Sequence, residues 1–519
     1  MDPQVSGETG KSGNLYLLGD DTLQTVAVGI VAFLWLILML VNLSGRSLQV
    51  DELITVERSL SNVIRHDPMH PLTYYKYVRF WTDAVGHTDA AFRASSLLPA
   101  AVAIICIATV AAWLLPWPAW FVALILVCFS AELLLYWRMA RYFAPAAAGF
   151  GIAMVGAIGY LREPGIRWAA VLAVGTVLCF FVDYMAAAGT SLLWMWIVVE
   201  AIRRRRFGTL AGIVGLIVCS AVVCRSPVRW AIDGMKCVMS PSVLGYPKVT
   251  FLYGVAVALW GLLASECLPP WQPWIAFPTA AAMAVPTVIG ARDAWRLGGP
   301  WRLVLLAWPF AVAIATAVVL ATPGEPPVRI SSLALYALPY ALVVSALGWQ
   351  KLWPTKIGKS TAVVVALGYL VALSNYFTMR GFLNPQYALN WQPVAQFIAE
   401  HAGRDDFVVT AYDGSFYRYY RGAGRRVCVY NDKMTQEVSQ KAISGRHRVW
   451  LIARDRGSKE ARRLLTWLQQ QLREAGAQEK VHRFFPYSPI EAALRRLVQH
   501  TQHTSYITVY ELWFPDTQS

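Results

Sequence analysis

The chain has 519 residues, of which 56% are hydrophobic and 15% charged, against about a quarter charged in an ordinary soluble domain. With a mean hydropathy of +0.43 this excludes a water-soluble globular protein and points to a polytopic membrane protein. The net charge of +15 reads as topology signal and contact with anionic lipid, with no nucleic acid as partner.

Uncharged tracts recur at 24–43, 94–131, 143–161, 168–182, 184–199, 207–224, 249–265, 267–291, 303–324, 330–350 and 360–379. The second is long enough for two helices broken at Leu115-Pro116-Trp117-Pro118. A crossing takes roughly 20 apolar residues, so about eleven to thirteen transmembrane helices are expected. Barrel-type alternation is absent, and only helices then satisfy the backbone in lipid. The first tract lacks a small-residue cleavage site and is expected to remain as a span. Arg203 to Arg206 and Lys351 to Lys359 mark cytoplasmic edges. Counting from them puts the loop 44–93, the turn Trp137 to Tyr142 and the pair Asp183-Tyr184 outside. Between 225 and 300 the charge rule conflicts with itself, because Arg292, Arg296 and Arg302 would also fall outside. There the Pro-rich piece Leu268 to Pro273 is the expected re-entrant or interfacial segment.

The chain divides into a membrane domain, 1–379, and a soluble extracytoplasmic α/β domain, 380–519. In the second, a helix at Trp391 to His401 is followed by strands at Phe407 to Tyr412, Arg426 to Tyr430 and Arg448 to Ala453. A helix at Lys459 to Glu474 and a strand at Tyr506 to Phe514 complete it. No Gly-rich phosphate loop follows a strand, and the eight cysteines include no CxxC pair.

Four groups of residues carry possible chemistry. Asp51-Glu52 open a helical pattern on a loop too polar for lipid; a carboxylate there is a helix cap, a general base, or both. In the same loop His70 precedes Pro71, which opens a second helix closed by Gly86, and Thr88 caps a third helix containing Arg93. Arg138 and Arg141, three apart with Tyr142 beside them, are either interfacial anchors or a phosphate clamp. Asp183, with Tyr184, is a turn residue or a site residue, since an acid within lipid is expensive.

Asp51-Glu52 after the first span, His70-Pro71-Leu72, Tyr74-Tyr75, Trp81, Gly86 and Arg93 resemble the first external loop of the GT-C glycosyltransferases, which include protein O-mannosyltransferases and lipid A aminoarabinose transferases. Tyr136 to Tyr142, Asp183-Tyr184 and Pro327-Val328-Arg329 through Pro339 are similar to later blocks of the bacterial branch. The resemblance implies a GT-C-like fold and a hexosyl- or pentosyltransferase of the bacterial inner membrane, with its active site on the extracytoplasmic side. The implied partners are a polyprenyl-phosphate sugar donor, a lipid, glycan or protein acceptor, and membrane lipids. Asp51 becomes the base, with Glu52, His70 and Asp183 orienting it or the sugar. Arg138, Arg141, Arg93 and Arg329 become the holders of the leaving phosphate, beside Tyr142 and Tyr184. No DxD pair occurs in the external loops, but Asp51, Glu52 and Asp183 could converge on a divalent cation, Mg or Mn. The alternative is a lipid-linked sugar flippase or other transporter. It would need a midplane site and repeated halves, and no internal symmetry is visible.

Overall fold

The computed structural model describes residues 17–60, 71–229, 232, 249–322, 329–378, 381–384, 389–411, 415–454, 459–499 and 504–515. Seven helices are long and apolar enough to cross a membrane: Thr22–Leu40, Asp89–Leu114, Phe143–Arg162, Tyr184–Arg203, Pro273–Leu297, Gly299–Ala321 and Lys356–Thr378. Trp117–Cys128 and Ala131–Trp137, bent by 52° at the break between them, form an eighth span or a re-entrant loop. Three shorter apolar helices, Ile166–Val182, Phe207–Val223 and Phe251–Leu263, accompany them, so the helices among the described residues that qualify as spans number seven or eight, fewer than the eleven to thirteen expected. The protein is an integral, multi-pass membrane protein.

Two tracts depart from the uniform spans that their hydrophobicity suggests. The tract 330–350 breaks into Arg329–Leu333, a 3₁₀ turn Leu335–Ala337 and a helix Leu338–Leu352 with Pro339 in its first turn. That last helix is buried over almost its whole length, so its apolar residues face protein on all sides. The Pro-rich piece at 268–273 forms a largely buried turn between Phe251–Leu263 and Pro273–Leu297, with Leu268 O accepting from Trp260 Nε1 at 2.9 Å. Glu132, fully buried, stabilises the chain just before it by accepting from Glu266 N at 2.7 Å and from the hydroxyls of Ser265 and Ser331 at 3.2 Å each.

Helix packing uses small residues where backbones approach, as bilayer interiors require when no hydrophobic force acts between helices. Pro273–Leu297 crosses Leu338–Leu352 through Gly290 and Gly348. A Cβ at Gly290 would lie 1.9 Å from Val344 O, and one at Gly348 would lie 1.8 Å from Pro286 O.

The carboxy-terminal unit is a mixed sheet, β1 (Phe407–Ala411), β2 (Arg425–Val429), β3 (Val449–Arg454), β4 (Gln478–Pro486) and β5 (Ser505–Trp513), in the order β2-β1-β3-β5-β4. β1 pairs parallel with β2 and β3, whereas β5 runs antiparallel to β3 and β4. Helices Trp391–His401 and Lys459–Glu474 fall where the sequence places them. Asp432–Ser444, β4 and Pro489–Gln499 do not appear in the sequence reading. β4 begins Gln-Glu-Lys-Val-His-Arg, the charged composition of a protected edge strand, and so looks like loop.

This unit is fastened to the first loop of the membrane domain. Ser47 N donates to Asn390 Oδ1 at 3.1 Å, Leu48 N to Tyr419 Oη at 2.6 Å, and Arg418 Nη2 to Asp89 Oδ1 at 2.8 Å. Nearer the spans, Arg495 lies 4.5 Å from the ring centre of Trp271, donates to Phe382 O at 2.9 Å and pairs with Glu491 at 2.7 Å. The first loop and the sheet unit therefore lie on one side of the membrane.

The glycine crossing yields a stability test. Gly290→Ala and Gly348→Ala should each cost about 1–3 kcal/mol through overpacking, read as a lower melting temperature in detergent. Gly29→Ala, with no atom within 4 Å of the added methyl, should melt like the parent.

Candidate active site

The site begins at the first-loop helix Val50–Leu60. Leu53 N donates to Gln49 O at 2.9 Å, which makes Gln49 the N-cap. Glu52, the third helical residue, returns Oε2 to Gln49 N at 2.8 Å, one half of a capping box. Capping thus falls to Glu52, and the Asp51 carboxylate is released for other contacts.

Glu52 is fully buried, and both its oxygens are saturated. Oε1 accepts from Arg93 Nε at 2.9 Å and Ala140 N at 3.0 Å; Oε2 accepts from Arg93 Nη2 at 2.8 Å as well as from Gln49. Arg93 spends its remaining donors on Leu43 O at 2.7 Å and on Arg46 O and Ser47 O at 2.9 Å each. A guanidinium has five N–H donors, and all five are used. Arg93 therefore holds the loop and has none left for a donor phosphate. Its own helix, Asp89–Ala94, is set by the Thr88 hydroxyl accepting from Ala91 N, and the preceding helix Leu72–Val85 opens at Pro71 and closes at Gly86, whose φ of +114° suits glycine.

Asp51 has the opposite fate. Its side chain is 31% exposed and its Oδ2 lies 3.3 Å from Arg329 Nη2, while Arg141 Nη1 donates to the Asp51 backbone O at 3.1 Å. Burial pushes this carboxyl up, but Arg141, Arg329 and Arg454 together outweigh it and hold it below the usual carboxylate range. Asp51 is ionised at neutral pH. Arg454, the last residue of β3, is absent from the sequence reading. Its signal is a basic residue at the carboxyl end of a parallel strand, where α/β sheets present ligand groups.

Arg138 and Arg141 do not share a helical face. The helix Ala131–Trp137 ends before them, and the bonds Met139 N to Tyr136 O and Arg141 N to Met139 O tighten the chain into a turn. Arg141 goes to Asp51 and lies 5.0 Å from the ring centre of Tyr142. Arg138 goes away from it, donating to Val41 O and lying 5.2 Å from the ring centre of Tyr376.

Asp183, 6% exposed, is the N-cap of Tyr184–Arg203 and accepts from Ala186 N at 3.1 Å and Met185 N at 3.3 Å. Burial pushes its carboxyl up to about 6, only partly opposed by those two backbone bonds and by Arg141. Tyr142 is pushed up to about 12 by burial and stays neutral. The Tyr184 hydroxyl is buried without a hydrogen-bond partner among the described residues. His70 lies outside the described residues. Asp51, Glu52 and Asp183 do not converge on an ion: Glu52 is saturated, Asp183 caps a helix and Asp51 faces Arg329. Among the described residues no three His, Cys, Asp or Glu side chains form a metal-binding group, so the acids expected to hold Mg or Mn do not fit that role.

What the geometry assembles is one ionised, partly exposed carboxylate ringed by Arg141, Arg329 and Arg454, with neutral Tyr142 nearby. Arg141, Arg329 and Asp183 all lie at or near the ends of apolar helices, and Asp51 sits on the polar loop that follows the first span.

No protein-family model matches this sequence, and no curated protein sequence matches it significantly. Solved structures do share its fold. ArnT from Cupriavidus metallidurans in the apo state aligns with a TM-score of 0.54 at 11% identity, over 83% of this chain and 93% of that one. The same protein bound to undecaprenyl phosphate aligns with a TM-score of 0.52 at 11% identity, over 94% and 98%. The chain shares the fold of ArnT, and its helical membrane domain is followed by a small sheet domain.

Two measurements test this site. Glu52→Ala should cost about 3–5 kcal/mol, because it leaves the Arg93 guanidinium buried and unpaired; the melting temperature in detergent reads it. Asp183→Asn keeps the cap and removes the charge. A carboxyl raised from 3.8 to about 6 binds its proton more tightly when folded, so its contribution to stability falls as pH rises through that window. Asp183→Asn and the parent should match near the bottom of the window, with the variant ahead by on the order of 3 kcal/mol above it.

Proposed function

We propose that this protein is an inverting membrane glycosyltransferase that moves a sugar from a polyprenyl-phosphate donor to an acceptor hydroxyl at the extracytoplasmic membrane surface. The observation that carries the reading is the Asp51 carboxylate, ionised and partly exposed among Arg141, Arg329 and Arg454 at the end of the spans. The fold supports it, since ArnT, with the same architecture, has been captured with undecaprenyl phosphate.

The acceptor hydroxyl gives its proton to Asp51 as its oxygen bonds to the anomeric carbon from the face opposite the phosphate. The carbon–oxygen bond to phosphate breaks, and the electron pair leaves with the polyprenyl phosphate. Arg141 and Arg329 stabilise that growing charge. The same two arginines depress the basicity of Asp51. A donor phosphate drawing on them relaxes that depression, so Asp51 becomes a better base once the donor is bound. Asp183 and Tyr142 line the wall near Arg141, positioned to orient the sugar. Loop 44–93 and the domain 380–519 then face outward, the four arginines at 203–206 inward. A site at helix ends suits a surface reaction; a carrier would hold its ligand mid-bilayer.

The deciding comparison is Asp51→Asn in proteoliposomes supplied with a polyprenyl-phosphate sugar. Since Glu52 and Gln49 do the capping, stability should stay at the parent level while transfer falls by about a hundredfold or more. Arg141→Ala and Arg329→Ala should each lose roughly as much. Parental turnover by Asp51→Asn would remove the carboxylate from the mechanism.

A further inference from the structure

Beside the Glu52–Arg93 pair lies a cleft of about 40 Å³. Arg46, Arg93, Arg138, Tyr376 and Phe377 are among its lining residues, and no acidic side chain lines it. Arg93 is fully spent, but the other two cations are not. Arg46 is 6% exposed, and both its terminal nitrogens are buried without a hydrogen-bond partner among the described residues. Arg138 is 3% exposed, and its Nε is in the same condition. The carboxylate that feels Arg46, Glu52, already accepts four hydrogen bonds.

Buried guanidinium nitrogens without acceptors are costly, and such a pair persists where an anion completes it. Tyr376 closes one wall, with Arg46 and Arg138 each 5.2 Å from its ring centre. The cleft lies where two spans end: Leu43 and Arg46 follow the Thr22–Leu40 helix, and Tyr376 and Phe377 are in the last turn of Lys356–Thr378. That is the interfacial depth at which aromatic residues collect and lipid phosphates sit. Arg46 offers its two terminal nitrogens and Arg138 its Nε, which match the several oxygens of one phosphate, and a carboxylate would fill only part of them.

We infer that Arg46 and Arg138 form a second anion site, separate from the Asp51 centre, which takes the phosphate of a lipid headgroup. It requires neither Asp51 nor the transfer reaction and stands if the proposed function fails. The site also ties the loop after the first span to the turn after Ala131–Trp137, because the phosphate would bridge Arg46 and Arg138.

The test uses the full chain in detergent, with two probes: short-chain phosphatidic acid counted by native mass spectrometry, and inorganic phosphate followed by the melting temperature. The parent should retain phosphatidic acid and melt higher with it. Arg46→Gln should weaken this by about tenfold or more, and Arg46→Lys, which keeps the charge but not the fork, should fall between. Stabilisation by phosphatidic acid alone assigns the site to lipid; stabilisation by inorganic phosphate as well, lost in Arg46→Gln, assigns it to the phosphate group whatever its carrier. Arg46→Gln removes no hydrogen bond of the side chain among the described residues, so it should fold. Absence of binding by the parent overturns the inference. So does binding that survives Arg46→Gln and disappears in Arg141→Gln, which would move the phosphate to the Asp51 centre.

Discussion

The buried pair of Glu52 and Arg93 is the constraint on which the outer half of this protein is built. Taking a carboxylate and a guanidinium out of water is expensive, and the arrangement stands because every oxygen and every N–H of the pair has a partner. Those partners come from four places: the end of the first span, the N-cap of the first-loop helix, the turn before Tyr142, and the helix leading into the second span. One ion pair thereby fixes four chain segments. It also presents Ser47, whose N–H and hydroxyl hold Asn390 and Trp391 at the start of the sheet unit.

Adjacent acids divide the labour as a consequence. At helix positions one apart, Asp51 and Glu52 point in directions about 100° apart, so only one can face the interior. Glu52 turns inward and is saturated. Asp51 is left at the surface opposite Arg141, and Ala140, the neighbour of Arg141, is itself bonded to Glu52. The staple thus sets the register of the arginine against the carboxylate. The geometry proposed as reactive is a by-product of the structural one.

Much of this was legible from residue order. Thr88, Pro71 and Gly86 act through local backbone chemistry, and the helices they bound lie where the sequence puts them. Helices such as Trp391–His401 and Lys459–Glu474 carry their own periodicity. Asp51 and Glu52 were visible as a pair, but their separate roles depend on Gln49 and Ala140, whose backbone N–H groups leave no mark in a side-chain pattern. Arg454 was hidden for a different reason. It is brought to Asp51 by packing between residues some four hundred positions apart, and no local signal encodes that distance. The inner tracts were legible as apolar but not as spans: Leu338–Leu352 is hydrophobic all round because protein surrounds it, which hydropathy cannot tell from lipid.

The arginines of Trp137-Arg138-Met139-Ala140-Arg141 show where periodicity misleads. Spacing of three implies one face only while the helix lasts, and here it stops at Trp137. Beyond that point the tight turn gives the two cations different partners, Arg141 going to the partly exposed carboxylate and Arg138 to the cleft beside Tyr376. A single basic cluster in the sequence therefore becomes two electrostatically distinct places at the membrane surface, one next to an ionised carboxylate and one lined by cations and aromatic rings with no acidic side chain. The proposed chemistry belongs to the first, and the proposed anion site to the second.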